Sequence, residues 1–386
     1  MPWHPPSAML PCQLQCALLP CLLLAAQAGT MASAPLSAAA PGAPATAVTA
    51  TGPSAATPAA GAPAAAAVTA TGPWETFTQE NRRQYASTAE AHRRKRIFEA
   101  NLATIAAHNG RNESWQMGVG PFTDWTSEEF AATVLVPTSA RAGLATRAHM
   151  VDDDRFHSAG PPPAAWDWSD KGAVGPVKDQ GRCEGCWAFA ATGALEGLAK
   201  IANGKLQSLS EEQLLACSSS DGNAGCMGGN AVNAFRWVAQ KGICTEASYN
   251  FTSGGGSVGK CQTTCKPVLS TKGAAPSTAN NETALAIAVT INPVAVAIDA
   301  SNIQNYKSGI FPIKSCSTDL NHNVLAVGYL ASGAAPYWRI KNSWGETWGE
   351  QGFVRLQMSA VGQRVNSTGC CGVTMFAAYP VGGGVP

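Results

Sequence analysis

The chain has almost no excess charge of either sign. Lysine and arginine number 26, aspartate and glutamate 25, for a formal net charge of +1 over 386 residues. That balance supplies no basic face for nucleic acid or an anionic membrane. Long apolar runs are missing too. The apolar heart of the leader, residues 19–24, contains Pro20 and follows Pro11. It is far short of the ~20 residues that a spanning helix needs. Residues 29–73 are mostly Ala, Pro, Thr and Gly, with few large apolar side chains. Such a stretch cannot bury enough surface to offset its chain entropy. Histidine is scarce, with six in the chain, and cysteine is absent between Lys95 and Cys183.

What is present divides the chain. Residues 1–28 read as a secretory signal, with Ala26-Gln27-Ala28 suited to a signal peptidase. Residues 29–73 are expected to be a disordered spacer, in which Ala-Val-Thr-Ala-Thr-Gly-Pro occurs at 47–53 and at 67–73. Thirteen cysteines fit an oxidising compartment, and ten of them lie from Cys183 onward. Sequons at Asn112, Asn250, Asn281 and Asn366 suit surface loops of a secreted chain.

Order is expected from Trp74. Residues 80–109 have no internal Gly or Pro and read as a helix. The basic run Arg93 to Arg96 reads as its solvated face. Thr126-Ser127-Glu128-Glu129 reads as a helix start. Residues 131–160 are linker-like, with an acidic run at Asp152 to Asp154 read as solvated, and maturation is expected at their end. Residues 186–202 and 230–241 read as helices, the first closed by Gly204. Residues 294–298, 324–329, 337–341 and 352–356 read as strands. Helices followed by strands predict an α+β fold of two lobes with a cleft between them.

A cut near residue 160 would leave His322 as the last histidine of the mature chain. Cys186 sits at the start of a predicted helix, where the dipole lowers a thiol pKa. A protonated His322 nearby would complete a thiolate–imidazolium pair, with Asn342 further along the chain to orient the imidazole. Composition alone would equally allow Cys186 to be one half of a disulfide.

The surrounding motifs decide between these readings. Gln180-Gly181-x-Cys183-x-x-Cys186-Trp187-Ala188-Phe189 resembles the nucleophile motif of papain-like cysteine proteases. Asn342-Ser343-Trp344-Gly345 resembles their asparagine motif, and residues 320–329 their histidine strand. Gly225-Cys226-x-Gly228-Gly229 resembles the strand that pairs with substrate backbone. Glu90, Arg94, Phe98, Asn101, Ile105 and Asn109 match the interrupted helical motif of cathepsin L-like propeptides, followed by Gly118, Phe122 and Asp124 of a shorter motif. The resemblance covers residues 74–380 and is closest in texture to kinetoplastid lysosomal enzymes.

The resemblance implies a helical lobe and an antiparallel β-barrel-like lobe, preceded by an inhibitory propeptide. Residues 74–135 would be that propeptide, 136–160 a linker holding the maturation site, 161–380 the peptidase and 381–386 a Gly-rich tail. Cys186 would attack the scissile carbonyl and His322 would protonate the leaving amine. Asn342 would hold the imidazole, Trp344 would shield that bond, and Gln180 would line the oxyanion hole. No metal or organic cofactor is implied. The implied partners are polypeptide substrates, the chain's own propeptide and cystatin-type inhibitors. They include no nucleic acid, and the enzyme would be a monomer in the secretory pathway, bound for a lysosome-like compartment or the exterior. The implied disulfides are Cys183–Cys226, Cys217–Cys261 and Cys316–Cys371. Cys244–Cys265 is a further guess, and Cys370 leaves the last family pairing ambiguous.

Three departures carry their own expectations. Glu184 and Gly185 replace the usual Gly-Ser, so Glu184 would favour a basic residue just before the cut, or raise the Cys186 pKa. Asn323 replaces a small residue. With Asn230, Ala231, Ala297, Leu320 and Phe376 it would line the main specificity pocket, and Phe376 as its floor predicts Leu or Val over Arg at the second residue before the cut. Gly120 stands where asparagine is usual, which would alter acid control of processing. A catalytically silent relative or an exopeptidase of the same fold are the alternatives. The intact quartet of Gln180, Cys186, His322 and Asn342 argues against the first. The lack of a cleft-blocking loop argues against the second.

Overall fold

A computed structural model describes residues 72–136, 150–359 and 366–384. The expected signal, nearly all of the spacer and residues 137–149 of the linker lie outside the described residues. Among the described residues, no helix is long and apolar enough to cross a membrane.

The helical lobe is built on α5 (Cys186–Asn203), which ends at Gly204 in the left-handed region, φ 72°. Every residue from Cys186 to Ala199 is buried, so α5 is a core helix and not a surface one. Gly197 lets it approach the neighbouring chain, since a Cβ there would lie 2.6 Å from the Pro293 ring. Around it pack α6 (Glu211–Cys217) and α7 (Ala231–Lys241), with Trp187, Leu195, Leu214, Phe235 and Val238 in one core. The disulfides Cys183–Cys226, Cys217–Cys261 and Cys244–Cys265 tie down the loops between these helices.

The second lobe is a sheet wrapped around its own core. Its strands are β3 (Gly273–Pro276), β4 (Val294–Ile298), β5 (Tyr306–Phe311), β6 (His322–Leu330), β7 (Tyr337–Lys341), β8 (Phe353–Gln357) and β9 (Ala377–Val381). They run in the order β5-β8-β7-β6-β4-β9-β3, and the short β2 (Ala165–Asp167) pairs with β6. The pairing is antiparallel except between β5 and β8, which run parallel at Ile310↔Arg355. β4 is buried at all five positions, which explains its unbroken apolar run. α8 (Glu282–Ile291), unforeseen from the sequence, covers this core with Leu285 and Val289.

The N-terminal segment corrects two sequence expectations. Residues 80–109 do not form one helix. α1 (Pro73–Glu80) ends, the chain turns through Arg82 at φ 48°, and α2 (Thr88–Asn109) starts at Ser87, whose hydroxyl accepts from Glu90 N. The turn lets Trp74 and Phe77 gather on Phe98, with the Phe77 and Phe98 rings 4.8 Å apart and Tyr85 stacked on Trp74. Of the basic run, Arg93 and Arg96 are exposed as a solvated face would be, but Arg94 is drawn in. Arg94 pairs with Glu90 at 2.6 Å and Glu129 at 2.8 Å, and Arg93 also reaches Glu129.

Beyond α2, β1 (Trp115–Met117) adds antiparallel to the β5 edge with Trp115 opposite Gly309, and Trp115 packs on Phe311. α3 (Ser127–Val134) opens with the expected start, a reciprocal capping box between Thr126 and Glu129. Residues 150–158 are partly ordered, with Asp152 and Asp154 exposed as expected and Asp153 not. Val151 N donates to Ala274 O at 2.7 Å, and α4 (Asp154–His157) is capped by Asp153. Asp153 is buried and paired with Arg155, while Asp152 stays exposed.

Candidate active site

The cleft residues come from both lobes. Cys186 is the first residue of α5, and His322 and Asn323 open β6, pinned by Ile298 and Ala297 of β4. Asn342 follows β7 directly. His322 Nε2 donates to Asn342 Oδ1 at 2.8 Å, and that oxygen also accepts from Ser343 N at 2.8 Å. An oxygen accepting from a fixed amide assigns the imidazole proton to Nε2, leaving Nδ1 with its lone pair. His322 Nδ1 is buried without a hydrogen-bond partner. Trp344 stacks on the imidazole at 4.7 Å.

Cys186 carries a free, buried thiol. Its sulfur accepts from Asn323 N at 3.3 Å. Gln180 is fully buried, with its oxygen held by Ser343 Oγ at 2.7 Å. Its Nε2 donates to Cys183 O at 2.9 Å and to Val134 O at 3.3 Å. Val136 N donates in turn to Asn321 O at 2.8 Å, and Val136 packs on Cys186 with Leu320 beside them. The end of α3 therefore lays backbone across the cleft. Val134, Leu135 and Val136 carry no signal in the sequence beyond being a short apolar run before small residues.

This covering sets the charges. Burial pushes the Cys186 thiol up to about 11, against hydrogen bonds from Asn323 that lower it. Burial likewise holds His322 down to about 4, against the Asn342 bond that raises it. Burial thus favours the neutral form of both groups. Burial also raises the half-buried Glu184 carboxyl.

Among the expected pocket residues, Ala231, Ala297, Asn323 and Phe376 are buried, and Leu320 is partly exposed. Asn230 is a helix cap whose Oδ1 accepts from Val232 N at 2.7 Å. Gly228 and Gly229 precede Asn230 on the helical lobe, next to the exposed Met227. A Cβ at Gly229 would lie 2.5 Å from the Trp187 indole, so packing as well as substrate approach requires glycine there. Gly185 precedes α5 as its N-cap. Cys316 is bonded to Cys371, with the free Cys370 sulfur 3.7 Å from Cys316.

The propeptide motif has a part for nearly every residue. Asn101 Nδ2 donates to Thr123 O at 2.8 Å and Trp125 O at 2.9 Å, and Asn109 clasps Met117 through both of its amide atoms. Phe98 and Ile105 are buried. Phe122 and Phe130 meet the face of Trp344 at 5.5 and 5.2 Å. Gln304 of the β lobe donates to Phe122 O and Trp125 O, each at 3.0 Å. At Gly120 the expected asparagine is replaced by a turn closed by Thr123 Oγ1.

Comparison with known proteins agrees with this geometry. The family described as papain family cysteine protease matches residues 162–381, and the cathepsin propeptide inhibitor domain (I29) matches residues 74–130. The senescence-specific cysteine protease SAG39 of Oryza sativa subsp. indica is 40% identical over 306 residues, 77% of this chain and 86% of that protein. Cysteine proteinase B of Leishmania mexicana is 41% identical over 297 residues, 75% of this chain and 66% of that protein. The recombinant stem bromelain precursor superposes with a TM-score of 0.70 at 35% identity, covering 80% of this chain and 97% of that one. Digestive procathepsin L 3 of Tenebrio molitor gives a TM-score of 0.69 at 36% identity, covering 80% and 97%. The chain belongs to the papain family of cysteine proteases and carries a cathepsin-type inhibitory propeptide ahead of its peptidase domain.

Proposed function

We propose that Cys186 is the nucleophile of this endopeptidase, His322 its acid and base, and Asn342 the residue that orients the imidazole. The observation that carries the reading is one buried cluster holding the free Cys186 thiol, the His322–Asn342 pair and the Gln180 amide, with propeptide backbone lying through it. Once the cleft is open, the thiol passes its proton to His322 Nδ1. The thiolate attacks the scissile carbonyl, and the imidazolium protonates the leaving amine. Water then hydrolyses the acyl-enzyme. Gln180 Nε2 and the Cys186 backbone N–H receive the oxyanion, each donor being worth ~3 kcal/mol in such sites.

The buried Phe376 and Ala297 support an apolar preference at the second residue before the cut. The half-buried Glu184, beside the nucleophile, supports a basic preference at the first. The leader and the disulfides support passage through the secretory pathway to an acidic lysosome-like compartment or the exterior. There the enzyme would act as a monomer open to cystatin-type inhibitors. Acidifying the expressed precursor tests the reading. A size shift should accompany peptide hydrolysis that a thiol-alkylating epoxide blocks. Hydrolysis insensitive to the epoxide contradicts it.

A further inference from the structure

We propose that Asn323 is a further catalytic residue: its side-chain Nδ2–H and its backbone N–H both donate to the sulfur of Cys186 and stabilise it as a thiolate. The inference rests on Cys186 being the nucleophile. The backbone nitrogen lies 3.3 Å and Nδ2 3.9 Å from the sulfur. Both residues are buried, Asn323 to 1% exposure and Cys186 to 0%.

Three observations point the same way. A carboxamide in an apolar pocket is costly unless its polar atoms are used, and the Asn323 Oδ1 has no partner. The contact that occupies this side chain is therefore the one to sulfur. His322 Nδ1 also lacks a partner, so under the propeptide the donors facing the sulfur come from Asn323 and not from the imidazole. The backbone is fixed as well, because Asn323 is paired opposite Ala297 in the sheet. Related enzymes usually carry a small residue here, which can offer the backbone donor alone.

The chemistry requires no proton to leave Asn323. When the thiol gives its proton to His322 Nδ1, the new negative charge on sulfur faces two fixed N–H dipoles, and hydrogen bonds to a charged acceptor are stronger than those to a neutral one. Glu184 acts in the opposite sense, since its charge raises the Cys186 pKa while both Asn323 donors lower it. Asn323 thus offsets the unusual carboxylate beside the nucleophile.

The test is the pH dependence of iodoacetamide alkylation of the acid-activated enzyme, mapped to Cys186 by peptide mass. Wild type is compared with Asn323→Ala and with Asn323→Leu, which fills the space but has no donor. Iodoacetamide does not occupy the specificity pocket, so a pocket-lining role would not move this readout. The midpoint should rise by about one pH unit in both variants, a tenfold loss of thiolate on the acid side. The acid limb of kcat/KM should shift alike for substrates with Leu or Val at the second position. An unmoved midpoint in both variants, with only KM or selectivity changed, overturns the role of Asn323 alone. Wild-type Cys186 that does not alkylate overturns the nucleophile assignment, and this proposal with it.

Discussion

The carbonyl oxygen of Val134 lies 3.3 Å from Nε2 of Gln180, the donor proposed to receive the oxyanion. Two residues on, Val136 N donates to Asn321 O at 2.8 Å. The end of α3 and the residues after it thus hold the cleft with backbone hydrogen bonds as well as with the apolar contact between Val136 and Cys186.

Val136→Pro removes that N–H without removing bulk. A lost hydrogen bond of ~1 kcal/mol weakens inhibition about fivefold to tenfold. Hydrolysis by the unprocessed precursor at neutral pH should rise by that factor. A precursor as silent as wild type would show that the bond contributes nothing to inhibition.

Acid should open the cleft through His322. The covered imidazole is held down to about 4 from an ordinary 6.5, so the neutral form is favoured while the propeptide is in place. With serine in place of Cys186, so that no thiol proton is shared, the stabilisation is complete above 6.5 and is lost as pH falls from 6.5 through about 4, where the open form binds the extra proton. Glu129 behaves differently. Burial raises its carboxyl, but the Thr126 amide, Arg93 and Arg94 outweigh this and hold it below the ordinary 4.5. Its contribution is present above 4.5 and is lost only as pH falls through its lower folded value. The hydrogen-exchange protection factor of residues 134–136 in a Cys186→Ser precursor, relative to the intrinsic rate at each pH, should therefore fall between 6.5 and 4. Adding His322→Gln should abolish that fall. A loss of protection confined to below 4.5 would assign the switch to the carboxylates instead.

Phe376, proposed as the floor of the pocket, is buried and carries no charge to partner a cation. Peptides with Leu at the second residue before the cut should exceed those with Arg by tenfold or more in kcat/KM, an unpaired buried charge costing well over ~1.4 kcal/mol. Efficient cleavage with Arg there would contradict this account of the pocket.

Glu184 titrates above the ordinary carboxylate value because it is half-buried. A preference for Arg or Lys just before the cut should grow as pH rises through that titration. It should vanish in Glu184→Ser. A profile flat across basic and neutral residues would reduce Glu184 to a loop carboxylate.

Local signals were legible where local chemistry decides the structure. The capping box at Thr126 and Glu129, Gly204 at the end of α5 and the apolar run of β4 all read correctly. The break between α1 and α2 did not, because residues 81–87 contain neither Gly nor Pro. Aromatic packing on Phe98 imposes that turn. β1 has three residues and no strand signature, and exists by adding to the edge of β5. Arg94 looked like one charge of a run because its partner Glu129 sits on a different helix. The proposed site residues were legible through their motifs, whereas the insertion of Val134 to Val136, at the end of α3, and the contact of Asn323 with sulfur arise only in the folded chain.

The most direct measurement is peptide hydrolysis by acidified wild-type and Cys186→Ser precursors, with the Cys186→Ser chain also offered to active wild-type enzyme to remove its propeptide in trans. The account predicts hydrolysis by wild type alone, even after the variant has been trimmed and separated. Hydrolysis by trimmed Cys186→Ser at a rate near that of wild type would contradict it.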